Sequence, residues 1–552
     1  MDTSRLLRTT GTTVATAALL ISGSVFAGAA PRSTAAGRAG AGDADGGPAS
    51  RLWAGLGGGS QSTYAPSAAG SGLELKPLPP GMPSELRPYY AQKLTWRPCP
   101  AAGYECATLT APLDYGSPRA GRDIHLAVSR KRATGPARQH LGSLMVNPGG
   151  PGGSAIGYLQ KYAGTGYPAA VRARYDIVAM DPRGVAGSEP VTCLSDPEMD
   201  AYTRVDQTPD DPAEVAELVD AYRKFADGCA SRSGRVLGHV STVEAARDMD
   251  ILRAALGDGK LSYVGASYGT FLGATYAGLF PGRVGRLVLD GALDPTLDSR
   301  QINRDQTAGF QTAFTSFAQD CARHRDCPLG GSAADAGSRL TEFFRQADGH
   351  PVPTGTPRSL TESLATTGVI SAMYDHAAWG LLRLALGRAL RGDGGLLLRL
   401  SDAYYERDDH GRYANLMYAN AAVNCLDLPA AFHSPHEVRR ALTEFRNASP
   451  VFGTGLAWSA LTCGYWPVPA TGRPHRIPAP GAAPILVVGT TRDPATPYRW
   501  ARSLASQLSS GRLLTYDGDG HTAYTRGSAC VDAAVNSYLL TTTPPPASRN
   551  CT

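Results

Sequence analysis

The chain has 552 residues, of which 42% are hydrophobic and 18% are charged, and its formal net charge at pH 7 is only +5. This composition is typical of a globular protein, and so small a charge without runs of basic residues argues against a nucleic-acid partner. Because the length exceeds that of most single domains, we expect one large α/β domain that carries a substantial insertion.

The first 29 residues have the features of a secretory signal peptide. Arg5 and Arg8 precede an uncharged apolar stretch, and Ala27, Gly28 and Ala29 offer small side chains for cleavage. This stretch is short and diluted by Thr and Gly, and no later segment reaches the ~20 apolar residues that a membrane span needs. The sequence therefore predicts a secreted, extracellular protein without stable membrane insertion.

Residues 30–85 are dominated by Gly, Ala, Ser and Pro. Such a segment buries too little apolar surface to offset the entropy lost on ordering, so it is predicted to be a low-complexity linker or propeptide. Folding is expected to start near Leu94.

Ten cysteines agree with export to an oxidising compartment. Pairing in sequence order would close five loops, although the sequence alone leaves the connectivity open. Those pairs are Cys99–Cys106, Cys193–Cys229, Cys321–Cys327, Cys425–Cys463 and Cys530–Cys551. Neither Cys-x-x-Cys nor His-rich metal spacing occurs, so no metal is expected.

Strand-like and helix-like segments alternate on both sides of a helical region. Strands are predicted at 106–113, 124–128, 141–146, 175–180, 260–265, 286–291, 484–489 and 512–516, and a capped helix at 242–256. Residues 299–478 instead show helical patterns throughout. This arrangement predicts a mostly parallel central sheet with helices on both faces and an inserted, mostly helical lid.

Residues 265–269 form a Gly-x-Ser-x-Gly motif between a strand-like run and an apolar helical segment. This order is typical of a nucleophile elbow, in which a tight strand-to-helix turn exposes a serine hydroxyl. A side chain at Gly265 or Gly269 would crowd the turn. The flanking strand and helix favour Ser267 as a nucleophile over the alternative of a glycine-rich turn without function.

The predicted strand at 141–146 runs into a glycine-rich loop, residues 147–154. Backbone N–H groups of such a loop can bind a ligand oxygen, and in this kind of fold they form half of an oxyanion hole. A phosphate-binding loop is the alternative, but the chain lacks the endings of both a P-loop and a dinucleotide site.

A serine nucleophile needs a base, and the base needs an acid that fixes its tautomer. Asp493 and His521 follow the last two predicted strands in the required order of serine, acid and histidine. Asp493 could instead be only a turn former before Pro494. Asp517 and Asp519 are rival acids, although they lie very near His521 along the chain.

Five motifs together resemble the secreted actinobacterial tripeptidyl aminopeptidases, α/β-hydrolase peptidases related to proline iminopeptidases. The motifs are Asn147-Pro148-Gly149-Gly150-Pro151-Gly152, Asp181-Pro182-Arg183-Gly184, Gly265-Ala266-Ser267-Tyr268-Gly269, Arg492-Asp493-Pro494 and Gly520-His521. The resemblance implies an α/β-hydrolase core at 86–298 and 479–552, with the lid at 299–478. It also implies a serine exopeptidase that releases short peptides, tripeptides foremost, from free N-termini without a cofactor.

Carried over to these positions, the resemblance implies Ser267 as nucleophile, Asp493 as orienting acid and His521 as base. The N–H of Tyr268 and that of Gly149 or Gly150 would form the oxyanion hole. Iminopeptidases have a histidine before the corresponding glycines, and this chain has Pro148 there, so any role of that histidine side chain is lost.

Two alternatives remain open at this stage. A secreted esterase, lipase or amidase could use the same triad, and a non-catalytic envelope-binding protein could retain it without activity. An aminopeptidase must bind an ammonium group, so an unpaired lid carboxylate facing Ser267 would favour peptide substrates. Asp402, Glu406 and Asp427 are the candidates. The sequence predicts no oligomeric state.

Overall fold

A computed structural model of the chain describes residues 73–79, 81, 83–118, 123–546 and 549–552. The predicted signal peptide and most of the low-complexity segment lie outside these residues. The described strands form one sheet in the order β1-β2-β3-β5-β4-β6-β7-β8-β9-β10. Their bounds are Arg97–Pro98 (β1), Glu105–Pro112 (β2), Asp123–Lys131 (β3), Ser143–Asn147 (β4), Asp176–Met180 (β5), Leu261–Ala266 (β6), Val284–Asp290 (β7), Ile485–Arg492 (β8), Gly511–Asp519 (β9) and Arg549–Cys551 (β10).

The sheet is antiparallel at one edge and parallel elsewhere. β1, β2, β3 and β5 pair antiparallel, and every neighbouring pair from β5 through β4 to β10 is parallel. The carboxyl ends of β4, β6, β7, β8 and β9 therefore lie at the same edge. The mostly parallel sheet and its α/β-hydrolase topology confirm the predicted fold class.

The helices fall into three groups along the chain, which lie before the lid, in the lid and after it. Before the lid they are Arg87–Ala91 (α1), Ala155–Tyr158 (α2), Gly164–Gly166 (α3), Ala169–Arg174 (α4), Asp196–Arg204 (α5), Pro212–Leu237 (α6), Thr242–Ala255 (α7) and Tyr268–Leu279 (α8), with a π-helical turn at Leu159–Ala163. In the lid they are Ser299–Ala322 (α9), Ala333–Gly349 (α10), Glu362–Met373 (α11), Trp379–Ala389 (α12), Gly395–Tyr404 (α13), Leu416–Asp427 (α14), Pro435–Ala448 (α15) and Gly453–Ser459 (α16). Tyr498–Gln507 (α17) and Ala529–Thr541 (α18) follow it.

Both faces of the sheet are covered, as its uninterrupted apolar strands require. Tyr263, Leu287 and Val487 point into a core shared with α7, α8 and α17. Val264 and Val288, one residue further along their strands, belong to a second core with α18 and the 155–175 region. This period of two places successive side chains on opposite faces and fixes the strand register.

The lid has a core of its own, but one of its helices joins the main body. Aromatic side chains such as Phe317 and Trp379 pack together inside α9–α13. In contrast, Tyr418 and Leu426 of α14 belong to the main core beside β6 and α8. Helix α14 therefore holds the lid directly above the carboxyl edge of the sheet.

The first contacts of the chain with the core lie closer to the N-terminus than expected. The N–H of Leu75 donates to Arg476 O at 2.9 Å, and the N–H of Leu78 donates to Leu279 O at 3.0 Å. The expectation that folding starts near Leu94 is therefore wrong. The end of the low-complexity segment is tied to the body by backbone hydrogen bonds, which composition does not reveal.

All five disulfides predicted from sequence order are formed. The C-terminal tail also joins the sheet, because Arg549–Cys551 pairs in parallel with β9. Among the described residues, no helix combines the length and apolar character needed to cross a membrane.

Removing the last disulfide should destabilise the protein without changing its substrate choice. Cys530 and Cys551 are 21 residues apart, and opening a loop of that size costs roughly 3 kcal/mol in the chain-entropy model. We expect the double variant Cys530→Ser/Cys551→Ser to unfold at a lower temperature, while kcat/KM at 25 °C keeps its ranking of substrates. An unchanged melting temperature in calorimetry would contradict this.

Candidate functional site

Ser267 lies at the sharp turn between β6 and α8. Its backbone has φ 56° and ψ −126°, a left-handed conformation that is uncommon for a residue with a side chain. Two hydrogen bonds hold the turn: the Ser267 N–H donates to Asp290 O at 2.9 Å, and the Thr270 N–H donates to Ser267 O at 2.8 Å. The serine is thus presented at the carboxyl edge of the sheet, as in a nucleophile elbow.

Both flanking glycines are required by close backbone contacts. A Cβ atom at Gly265 would lie 2.3 Å from Gly269 O, and one at Gly269 would lie 2.8 Å from Asn147 O. Any side chain at these positions would push β4, β6 and α8 apart. The motif spacing therefore follows from the packing of the elbow.

Asp493 and His521 meet beyond the ends of β8 and β9. His521 Nδ1 lies 2.9 Å from each carboxylate oxygen of Asp493. The carboxylate, only 2% exposed, also accepts hydrogen bonds from the N–H groups of Ala495 and Thr496 at 2.9 and 2.8 Å and from Thr496 Oγ1 at 3.0 Å. A buried, fully bonded carboxylate on Nδ1 leaves Nε2 as the free imidazole nitrogen.

The rival acids have other partners. Arg492 Nη1 donates to Asp517 Oδ1 at 2.7 Å, and Arg492 Nε donates to Asp519 Oδ1 at 2.9 Å. Hydrogen bonds from Thr491 and then Arg492 lower the pKa of Asp517. Both carboxylates are engaged on the arginine side of the loop, whereas Asp493 contacts the imidazole.

The glycine-rich loop packs directly against the elbow. Gly149 has φ 94°, and a Cβ atom there would lie 2.8 Å from Ser267 Cβ and 2.9 Å from Tyr268 N. The Gly149 N–H, however, donates to Asn147 Oδ1 at 2.9 Å. The loop backbone is close enough to Ser267 to contact a ligand bound at that serine. The N–H of Gly149, however, is already bonded to Asn147.

Ser267 and His521 line one cavity of about 190 Å³ together with Gly149 and Gly150. Its remaining walls come from the body and from the lid. They include Tyr158, Lys161, Tyr162, Tyr167, Asp290, Tyr374, Tyr404, Glu406, Met417, Asn420, Tyr524 and Arg526. Apolar and aromatic walls with a few charged groups suit a peptide or an acyl chain.

Comparisons with known proteins agree with this geometry. A family model described as "TAP-like protein" matches residues 449–551. Serine protease Hip1 of Mycobacterium tuberculosis is 40% identical over 84% of this chain and 92% of its own length. Tripeptidyl aminopeptidase of Streptomyces lividans is 32% identical over 81% of this chain and 84% of its own. The chain belongs to the tripeptidyl aminopeptidase family.

A further relative within the same range has a different name: Carboxylesterase B of M. tuberculosis is 40% identical over 81% of this chain and 86% of its own length. Among solved structures, esterase E22 overlaps 79% of this chain with a TM-score of 0.35 at 13% identity, and a proline iminopeptidase of Mycobacterium smegmatis overlaps 78% with 0.32 at 14%. These structural scores carry no information about the substrate.

Membership of the tripeptidyl aminopeptidase family confirms the expectation of a serine hydrolase of the peptidase type. The alternative of a non-catalytic envelope-binding protein loses its support, because both the family and the pairing of His521 with Asp493 point to an enzyme.

Of the three lid carboxylates predicted to face Ser267, only Glu406 lines the cavity. Asp402 accepts two hydrogen bonds from Arg358 Nη1, at 2.7 and 2.9 Å. Asp427 accepts from the N–H of Thr242 at 2.8 Å and from the Thr242 hydroxyl. Burial raises the pKa of Asp427 to about 7, against the effect of these bonds. Asp402 and Asp427 therefore bind partners within the protein.

Three clusters of His, Asp and Glu among the described residues are compact enough to consider for a metal. None of them lines the cavity: they are Asp114/His239/Glu244, Asp206/Asp348/Glu362 and Asp210/Asp211/Glu214. In the first, Arg183 Nη1 already lies 3.5 Å from Glu244.

Two site residues were not found from the sequence. Asp290 ends β7 and lines the cavity, and Thr496 donates its hydroxyl to Asp493. A lone acid at the end of the strand after the elbow was a usable signal for Asp290. Thr496 offered none, because its role depends on the turn that brings it back to Asp493.

Gly149→Ala should remove most turnover. The added Cβ would lie 2.5 Å from Ala266 O as well as against Ser267, in a backbone conformation that an L-residue rarely adopts. We expect kcat/KM to fall at least about 100-fold. Gly234→Ala is the matched control, because nothing lies within 4 Å of its Cβ position in α6. Equal activity of both variants would show that the loop does not approach the reacting serine.

Proposed function

We propose that this protein is a secreted serine aminopeptidase that releases short peptides, with tripeptides as the expected product, from free N-termini. The observation that carries the proposal is the contact of His521 with the buried Asp493 on the wall of the cavity that also holds Ser267. The family relatives, which include a tripeptidyl aminopeptidase and a serine protease, support peptide substrates.

In this proposal the Ser267 hydroxyl attacks the substrate carbonyl while His521 Nε2 takes its proton. The tetrahedral intermediate collapses as His521 returns that proton to the leaving amine, and an acyl-enzyme remains on Ser267. Water, activated by the same imidazole, then releases the peptide. Asp493 stays ionised, holds the tautomer with hydrogen on Nδ1 and stabilises the transient imidazolium.

The oxyanion is proposed to bind the N–H groups of Tyr268 and Gly150. Tyr268 begins α8, so its N–H has no partner within that helix. Gly149 is the less suitable loop donor because its N–H is bonded to Asn147 Oδ1. Each donor of this kind contributes roughly 3–4 kcal/mol to the transition state in comparable enzymes.

Glu406 is proposed to receive the substrate ammonium group. It lines the cavity with a left-handed backbone at φ 53°, in the connection that follows α13. The N–H of Ala414 donates to Glu406 O at 3.1 Å, and the adjacent Arg407 is held by both carboxylate oxygens of Asp200 at 2.8 and 3.0 Å. This connection is therefore held at Glu406 and at the residue that follows it.

Glu406 shares the cavity with Lys161, whose pKa is lowered by burial while Glu406 opposes that effect. A carboxylate on the cavity wall that binds the substrate ammonium would limit how much peptide precedes the scissile bond. The proposed exopeptidase activity rests on this arrangement.

Secretion is part of the proposal as well. The five disulfides of the described chain form and persist in an oxidising compartment, such as the extracellular space. The predicted signal peptide would direct the export.

Ester hydrolysis is a second candidate, favoured by the 40% identity to Carboxylesterase B. The same serine, histidine and oxyanion donors can cleave esters. The alcohol of an ester leaves with less protonation by the histidine than the amine of a peptide requires. The two functions differ in whether the free amine of the substrate is recognised.

Ser267→Ala should lower kcat at least roughly 10⁴-fold and leave the fold intact, because only the hydroxyl is removed.

Asp493→Asn should lower kcat by roughly 10⁴-fold through loss of the correct histidine tautomer. The assays use a chromogenic tripeptide amide, and a fluorophosphonate identifies the reactive serine by mass spectrometry. Labelling at another serine, or a crippling effect of Asp517→Asn with Asp493→Asn active, would refute the triad.

Glu406→Gln should separate peptide from ester activity. We expect KM for a free tripeptide amide to rise at least about 10-fold, because the ammonium group loses its charged partner. The N-acetylated tripeptide and a short-chain ester should be unaffected. Glu217→Gln, an exposed glutamate of α6, is the control. If blocked and free peptides react equally well with wild-type protein, the aminopeptidase proposal fails in favour of an endopeptidase or an esterase.

A further inference from the structure

Asp290 is a buried carboxylate that the proposed reaction does not use. It ends β7, is 3% exposed and lines the cavity. Its carboxylate oxygens accept the N–H of Ala523 at 3.1 and 3.0 Å and the N–H of Tyr524 at 2.8 Å. These two residues follow His521 by two and three positions, so the carboxylate holds the loop that carries the imidazole.

The same residue also holds the nucleophile. The main-chain oxygen of Asp290 accepts the N–H of Ser267 at 2.9 Å. Ser267 and the His521 loop come from distant parts of the sequence, and Asp290 bonds to both. From these contacts we infer that Asp290 is a positioning residue that sets the imidazole of His521 relative to the hydroxyl of Ser267.

Gly291 extends this support beneath the imidazole. It has φ 68°, and a Cβ atom there would lie 3.3 Å from His521 Cε1 and 3.1 Å from Thr496 Oγ1. Its N–H donates to Val488 O of β8 at 3.0 Å. The Asp290-Gly291 pair thus touches the loops that carry all three proposed triad residues.

The charge of Asp290 adds an electrostatic effect to the positional one. No ion pair of Asp290 with a lysine or arginine occurs within the described part of the chain. Burial raises its pKa to about 6, while the two N–H bonds and His521 oppose the rise and Asp493 adds to it. Burial raises the pKa of the nearby Tyr158, an effect to which Asp290 adds and which Arg526 opposes.

When His521 takes the proton of Ser267, the imidazolium therefore forms with Asp493 on Nδ1 and a second carboxylate nearby. Above about pH 6 the ionised Asp290 favours that charged imidazole. Removing this charge should therefore move the acid limb of the pH profile to lower pH.

The inference rests on the proposed roles of Ser267 and His521, and its test uses Asp290→Asn in the full-length secreted protein. Asparagine keeps the size and one acceptor oxygen but loses the charge and one acceptor. We expect kcat to fall about 10- to 100-fold for both a tripeptide amide and an ester, with KM within about twofold. The acid limb of kcat/KM should move down by roughly 0.5–1 pH unit.

Asp294→Asn is the matched control. Asp294 lies in the same connection, is buried, and accepts hydrogen bonds from Gln507 Nε2 at 2.9 Å and from the N–H of Thr296 at 3.0 Å, away from the cavity. If Asp290 is merely structural, both variants will lose thermal stability and keep the wild-type kcat and pH profile per labelled serine. That result would overturn the inference.

Gly291→Ala covers the case in which Asp290→Asn does not fold. It leaves the carboxylate in place and adds one methyl group toward His521 Cε1, so kcat should again fall while fluorophosphonate labelling slows in proportion. Wild-type kcat and labelling in this variant would contradict the inference. A fully active Ser267→Ala variant would instead refute the proposed triad itself, whatever Asp290 does.

Discussion

The burial of the Asp493 carboxylate is the constraint on which the site depends. An ionised carboxylate removed from water is costly unless its oxygens are bonded, and here three N–H groups, one hydroxyl and the imidazole supply those bonds. The turn after β8 therefore folds back so that Ala495 and Thr496 bond to Asp493, which leaves the carboxylate positioned to bind His521. Strands β8 and β9 are neighbours in the sheet, so Asp493 after β8 and His521 after β9 lie next to each other.

The lid is joined to this centre by polar contacts as well as by apolar packing. Asp427 at the end of α14 accepts from Thr242, and the Thr242 hydroxyl lies 2.6 Å from the hydroxyl of Tyr268, the residue after Ser267. Earlier in α14, Asn420 donates to Pro151 O of the glycine-rich loop at 3.1 Å. One lid helix is thus bonded directly to the glycine-rich loop and, through Thr242, to Tyr268 of the elbow. Asp427 is half-buried, and its carboxylate oxygens are bonded to Thr242 rather than free for a substrate.

Local pattern was sufficient to predict eight of the ten described strands and the strand-to-helix turn at Ser267, since each depends on neighbours along the chain. The disulfides follow sequence order, although the sequence alone left their connectivity open. Partners far apart in sequence were not predictable. Asp427 looked like a free lid carboxylate because Thr242 is 185 residues away. Gly149 and Gly150 differ in a local contact instead, the bond from the Gly149 N–H to Asn147 Oδ1, which depends on the conformation of the loop. The tail strand was missed because Arg549–Cys551 has no apolar pattern and is recognisable only by its pairing with β9.

The reaction machinery alone does not decide between a peptidase and an esterase, since serine, imidazole, carboxylate and two N–H donors serve both. Relatives named for each activity share 40% identity with this chain, so the difference must come from groups outside that set. The lid supplies Tyr374, Tyr404, Glu406 and Met417 to the cavity, whereas every proposed catalytic group comes from the core. A change of lid side chains can therefore alter what enters the cavity without moving the triad. Glu406 is the only acidic lid residue among the described cavity walls, which is why it is the group proposed to bind the substrate ammonium.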